Sequence, residues 1–191
     1  IKSLKKRLKK AHNQKEINRY ARSKGKEMVV ALVGYTNAGK TTLFNHLTQN
    51  NLYAADKPFA TLDSVTRKNS KQELQHILFS DTVGFISNLP TQLIESFKAT
   101  LDDLSSADLL LHVVDISDKD HRFKVKEVEK ILKDLGLSDK LLIRVNNKTD
   151  KLDVSSLDEI SQETSDQVWI SSTEQKGFAS LYDAINTKLR G

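Results

Sequence analysis

Gly34-Tyr35-Thr36-Asn37-Ala38-Gly39-Lys40-Thr41 is the stretch on which the reading of this chain turns. It follows a continuous apolar run, Met28–Val33, and leads into Thr41–Gln49, where Leu43, Phe44 and Leu47 share one helical face. A strand, a loop bounded by glycines and a helix are the context that the pattern G-x-x-x-x-G-K-[ST] requires. Glycine lets the backbone curl until successive N–H groups point inward, which makes a cradle for phosphate oxygens. Lys40 is expected to set a cation against the β- and γ-phosphates, and the hydroxyl of Thr41 to ligate Mg²⁺. The following helix aims its positive end at the same oxygens. The phosphate-binding set expected here is Gly34, Tyr35, Asn37, Ala38, Gly39, Lys40, Thr41 and Thr42.

Outward from this loop, short β-rich runs alternate with longer helical ones. Val65–Ser70 and Gln75–Ser80 read as an antiparallel pair, after an irregular segment, 50–63, that contains Pro58. Pro90 sits where a helix would begin, leading Leu93, Ile94, Phe97 and Leu101 at helical spacing. Leu109–Val114 reads as a buried strand, Phe123–Leu135 as a helix, Leu141–Val145 as a strand, and Val168–Ile170 and Ala179–Leu189 as the closing strand and helix. Strands alternating with helices predict an α/β, doubly wound, mostly parallel sheet of six strands covered on both faces.

The loop alone does not say which base is bound. Leu141–Val145 runs into Asn146-Asn147-Lys148-Thr149-Asp150, an N-K-x-D pattern at a late strand end. A carboxylate there accepts hydrogen bonds from guanine N1–H and the exocyclic amine. Adenine offers neither donor in that arrangement and would leave the acid unpaired. Asn147 and Lys148 are expected to brace the loop and stack along the base, with Asp150 reading it. Between the two motifs, Ser80-Asp81-Thr82-Val83-Gly84-Phe85 ends another strand. Asp81 is expected to hold Mg²⁺ through water, and Gly84 to bring its N–H to the γ-phosphate. Thr61 falls in the irregular segment, positioned to close over the metal as a second hydroxyl ligand. The metal set is therefore Thr41, Thr61 and Asp81, and the groups acting on the reacting phosphate are Lys40, Thr61 and Gly84. In this order the motifs are those of a GTPase.

The same residues carry a closer likeness. Gly34-Tyr-Thr-Asn-Ala-Gly-Lys-Thr41, Phe59-Ala-Thr-Leu-Asp63, Asp81-Thr-Val-Gly-Phe85 running on to Leu89-Pro90, and Asn147-Lys-Thr-Asp150 resemble the HflX family of translation-factor GTPases, near the Obg group. The resemblance covers essentially the whole chain. It implies that Thr61 is the switch I threonine, that Asp81 and Gly84 belong to switch II, and that Ser171-Ser172-Thr173 is the loop touching guanine O6. It also implies ribosome binding, chiefly to the large subunit and its RNA, with ribosome splitting in several members. The chain departs from the family in Thr41 where serine is commoner, and in Ser-Ser-Thr where Ser-Ala-Lys is usual at the O6 loop.

Composition sets outer bounds. The 191 residues include no cysteine, which excludes disulfides and cysteine-ligated metals. No apolar run approaches the roughly 18 residues of a membrane span, and a cytoplasmic monomer is expected. Residues 1–26 hold eleven Lys or Arg against Glu16 alone, a net of +10; the whole chain is +5, so the remainder is −5. Ile1, Leu4, Leu8 and Ala11 are helically spaced in this basic arm, which is read apart from the nucleotide domain of 27–191. It resembles the end of the family's N-terminal domain, and a chain opening on Ile1 inside a helical pattern is expected to be part of a longer protein. Three readings of the arm stand: a solvated face, a seam for that domain, and a contact with RNA phosphates.

Phe85 occupies the place where many GTPases carry a glutamine that orients the attacking water. Slow intrinsic hydrolysis, stimulated by a partner, is therefore expected. Asn37 has two readings, a turn residue tolerating unusual dihedrals, and, by resemblance to potassium-activated GTPases, a K⁺ ligand beside the phosphates. The rival to an enzyme is a nucleotide-dependent binding switch with negligible turnover. A P-loop ATPase or kinase is opposed by Asn147-Lys148-Thr149-Asp150. The five histidines show no ligand spacing.

Overall fold

The computed structural model describes residues 27–49, 65–68, 74, 76–81, 104–152 and 166–190. Strand β1 is Met28–Val33, followed by helix α1, Lys40–Thr48. Strands β2 (Val65–Lys68) and β3 (Ile77–Asp81) come next, then β4 (Leu109–Asp115) and helix α2 (His121–Asp134). The chain continues through β5 (Leu141–Asn147), a short 3₁₀ turn at Thr149–Lys151, β6 (Gln167–Trp169) and α3 (Phe178–Arg190). The six strands form one sheet in the order β2-β3-β1-β4-β5-β6. Only the edge pair β2–β3 is antiparallel; β1 is parallel to β3 and β4, β5 to β4, and β6 to β5.

This is the expected sheet, and its elements match the predicted ones to within a few residues. Helix α1 begins at Lys40 and α2 at His121, slightly ahead of the apolar positions that signalled them. The helix expected from Pro90, the segment 50–63 and the arm of 1–26 lie outside the described residues.

Both faces of the sheet are covered, which is why the parallel strands read as unbroken apolar runs. Along β1, Val30 and Leu32 point into a core shared with Leu43, Phe44 and Leu47 of α1 and with Leu181 and Ile185 of α3. Val29, Ala31 and Val33 point the other way, into a second core with Leu110 of β4 and Val128 and Leu132 of α2. Among the described residues no helix is long and apolar enough to cross a membrane.

This layout positions the crevice. Chain connections diverge at β1, with β3 on one side and β4 on the other, and ligands of open α/β sheets sit beyond the carboxyl ends of strands at such a switch point. Three of the motifs end strands there: Gly34 follows β1, Asp81 closes β3 and Asn147 closes β5. Phe44, fully buried, pins α1 against the sheet and so holds the phosphate loop in place. Phe44→Ala should cost about 3–5 kcal/mol of stability in urea denaturation, as expected for an aromatic removed from a packed core. A loss under about 1 kcal/mol would mean that α1 is not seated as described.

Candidate functional site

The loop after β1 is shaped by two glycines that nothing larger can replace. Gly34 passes β4 so closely that a Cβ would lie 2.2 Å from the carbonyl oxygen of Val113. Gly39, at φ 92°, would bring a Cβ to 2.3 Å from Asn147 Nδ2. Asn37 also adopts a left-handed conformation, φ 63°, as its turn reading required. Gly39 caps α1 without a side-chain hydrogen bond, and no acid lies in the first turn, so the helix start is left open to an anion.

Lys40 is buried, only 6% exposed, yet it carries a titratable amine. Its Nζ donates to the carbonyl oxygens of Gly34 at 3.1 Å and Tyr35 at 2.9 Å, so it lies across the loop. Burial pushes its pKa down to about 8, with the carboxylate of Asp81 acting in the opposite direction. The hydroxyl of Thr41 donates to Asp81 Oδ2 at 2.9 Å, which brings together the two described members of the expected metal set. Thr61 and Gly84, with Phe85, lie outside the described residues.

Asn147 joins the base motif to the phosphate loop. Its Nδ2 donates to the carbonyl of Ala38 at 3.0 Å, across 109 residues of sequence. Its Oδ1 accepts from both the backbone N–H of Ser172 (3.0 Å) and the Ser172 hydroxyl (2.9 Å). Lys148, left-handed at φ 68°, donates from Nζ to the Asn37 carbonyl at 2.8 Å and to Asp115 Oδ2 at 2.6 Å. Asp150 accepts from the Ser171 hydroxyl at 2.5 Å, and that hydroxyl in turn accepts from the N–H of Glu174 at 3.0 Å. Thr173 lies in this turn, which an isolated bridge between Ser171 and Lys176 closes. At Ser172, where the chain departs from the family pattern, the hydroxyl adds a bond to Asn147.

The sequence reading missed the segment after β4. Asp115 takes two hydrogen bonds from Ser117 and one from Lys148. Asp118 pairs with Lys124 of α2, whose ammonium sits 5.2 Å from the centre of the Tyr35 ring. Each acid lowers the cost of holding its lysine near the loop, and the Lys124 bond holds the Asp118 carboxyl below its ordinary range. An acid ending a buried strand parallel to the one that ends in Asn147 was the available signal. His112, one of the five histidines without ligand spacing, lies in β4. It is buried with Nδ1 unbonded, and burial, then Arg144 and Lys40, pushes its pKa down to about 3, so it is neutral at physiological pH. Among the described residues no cluster of three or more His, Cys, Asp or Glu forms a metal-binding group.

The lowered pKa of Lys40 has a measurable consequence. Below pH 8 the amine is protonated in both folded and unfolded states, and the cost of burying the charge is present in full. Between pH 8 and 10.5 only the unfolded chain keeps the proton, so stability rises with pH by up to about 3 kcal/mol. In nucleotide-free protein, the stability of wild type relative to Lys40→Met should therefore improve between pH 7.5 and 10 in urea denaturation. A difference independent of pH would contradict the burial of the charge.

With this geometry in hand, the likeness to known proteins is specific. Residues 29–148 match the family model described as 50S ribosome-binding GTPase. The chain is 41% identical over 189 residues to GTPase HflX of Caldanaerobacter subterraneus subsp. tengcongensis, covering 99% of this chain and 43% of that protein. It is 37% identical over 187 residues to GTPase HflX of Escherichia coli, covering 97% and 44% respectively. The chain thus spans less than half the length of these relatives. Among solved structures, an Aquifex aeolicus Era variant bound to GDP·AlF4⁻ superposes with a TM-score of 0.68 at 26% identity, over 84% of this chain and 56% of that one. The resemblance drawn from the motifs is borne out, and the chain belongs to the 50S ribosome-binding GTPase family, among relatives called GTPase HflX.

Proposed function

We propose that this chain is the guanine-nucleotide-binding and GTP-hydrolysing part of a ribosome-associated GTPase of the HflX type. The observation that carries the reading is the bond from Asn147 Nδ2 to the Ala38 carbonyl, with Ser172 on the other side of the same amide. It ties the loop after β1, the N-K-x-D motif and the turn at Ser172 together through one side chain, which supports reading them as one nucleotide site.

In this reading Gly34, Tyr35, Asn37, Ala38, Gly39, Lys40, Thr41 and Thr42 cradle the phosphates. Asp150 accepts from the guanine edge, held in orientation by Ser171, while the Lys148 stem lies along the base. Asp150 is exposed before a base is seated on it; an adenine there would cover the carboxylate without offering it a donor, which discriminates against that base. Thr41 and Asp81 are hard oxygen donors already in contact, so they suit Mg²⁺, with Thr61 as a further ligand. Bound there, the ion would neutralise charge on the β- and γ-phosphate oxygens.

Lys40 then does what its burial prepares. Protonated, it exchanges two carbonyl acceptors for phosphate oxygens in a dry site, where its charge is worth more than in water. Gly84 is assigned to the γ-phosphate, and its release on hydrolysis to the switch. Phe85 cannot orient the attacking water, so intrinsic turnover is slow and a partner completes the site. The partner assigned is the ribosome, chiefly its large subunit and its RNA, with the basic arm of 1–26 as a contact and the family's splitting activity as the outcome. The protein is assigned to the cytoplasm as a monomer. Asn37, with its carbonyl already held by Lys148, is assigned a K⁺ ion beside the phosphates through its side-chain oxygen.

Steady-state GTP hydrolysis with and without large ribosomal subunits tests the proposal. A slow basal rate in potassium buffer, raised by the subunits, is expected. No turnover under either condition would replace the enzyme by a nucleotide-dependent binding switch. Equal rates in sodium and potassium would remove the monovalent ion from Asn37.

A further inference from the structure

We propose that Asp115 is a positioning residue for nucleotide binding, acting on the phosphate loop through Lys148. This inference rests on the reading of the site given above. Asp115 closes β4 and its side chain is one-fifth exposed, about as sheltered as that of Lys148. One carboxylate oxygen accepts from the Ser117 N–H (3.1 Å) and hydroxyl (2.6 Å), which fixes its rotamer. The other accepts from Lys148 Nζ at 2.6 Å. The same ammonium donates onward to the Asn37 carbonyl at 2.8 Å.

The two residues joined by this ammonium, Asn37 and Lys148, are both non-glycine and both left-handed. Such conformations are disfavoured for residues with a Cβ, less so for Asn than for Lys, and persist where surroundings over-determine them. A flexible lysine alone has several rotamers and three donors, and it does not choose one carbonyl unaided. The Asp115 carboxylate makes the choice: it holds the ammonium at a fixed point, so that one donor meets Asn37 and the Lys148 stem runs from the base motif to the loop. The neighbouring pair, Asp118 with Lys124, serves as an internal contrast. It is more exposed, and in the described contacts its lysine lies over the Tyr35 ring, not against a backbone atom of the loop.

A double-mutant cycle on GDP affinity tests the relay, because residues acting as one unit give non-additive effects. Asp115→Ala and Lys148→Ala should each weaken GDP binding about tenfold or more, and the double variant should be no weaker than the worse single one. Asp115→Asn, which keeps an oxygen for Lys148 but turns an amide NH2 toward the Ser117 N–H, should bind GDP more tightly than Asp115→Ala and less tightly than wild type. Glu129→Ala, which breaks an exposed pair with Arg144 away from the loop, should stay within about twofold. If Asp115→Ala does not fold, Asp115→Ser takes its place in the cycle. Multiplicative losses in the double variant, or wild-type affinity in Asp115→Ala, would overturn the inference while leaving the guanine site intact. Absence of GDP binding by the wild-type chain would overturn both.

Discussion

One side-chain amide holds the site together. Asn147 ends β5 with its donor on the Ala38 carbonyl and its acceptor facing Ser172, so three loops from distant parts of the sequence are registered against one planar group. The arrangement depends on Gly39, since any Cβ there would collide with that amide. It depends equally on the parallel register of β1, β4 and β5, which brings the ends of β1 and β5 close enough to touch across β4. The sheet supplies positions, and the amide ties the loop after β1 to the segments after β5 and β6. Polar groups this deeply buried carry no net stability unless satisfied, and Asn147 has its hydrogen-bonding capacity well used.

The cost of the arrangement is concentrated in the same place. Left-handed Asn37 and Lys148, glycines that cannot be substituted, and a lysine buried against its charge all lie within the loop and its brace. Local rules obeyed elsewhere in the chain are broken here together, as expected where function rather than stability selected the residues. The helix start left uncapped at Gly39 belongs to the same set, because a side-chain cap would occupy the place of the ligand.

The fold was legible because its determinants are local and periodic. Met28–Val33 and Leu109–Val114 are apolar throughout because both faces of their strands are covered, and the helix α1 showed its buried face in Leu43, Phe44 and Leu47. The motif residues of the site were legible because backbone geometry demands particular residue types at fixed spacing. What connects the motifs was not legible. Nothing in the pattern of residues announces that Ser117 orients Asp115, that Asp115 holds Lys148, or that Lys124 reaches Tyr35, since such contacts join positions with no common period. His112 shows the converse: a polar residue in an apolar strand that the fold simply buries, at the cost of an unbonded nitrogen. Thr61, Gly84 and Phe85 lie outside the described residues, and their roles rest on spacing and family likeness.

A single site that takes a guanine nucleotide on a phosphate loop braced by its own base motif, as proposed, must bind one nucleotide and choose its base. Calorimetric titration of the nucleotide-free chain with GDP and, separately, with ADP measures this directly. The account predicts one GDP bound per chain and an affinity for ADP at least about a hundredfold weaker, since adenine leaves the Asp150 carboxylate without its donors. Equal affinity for the two nucleotides, or no binding of either, would contradict it.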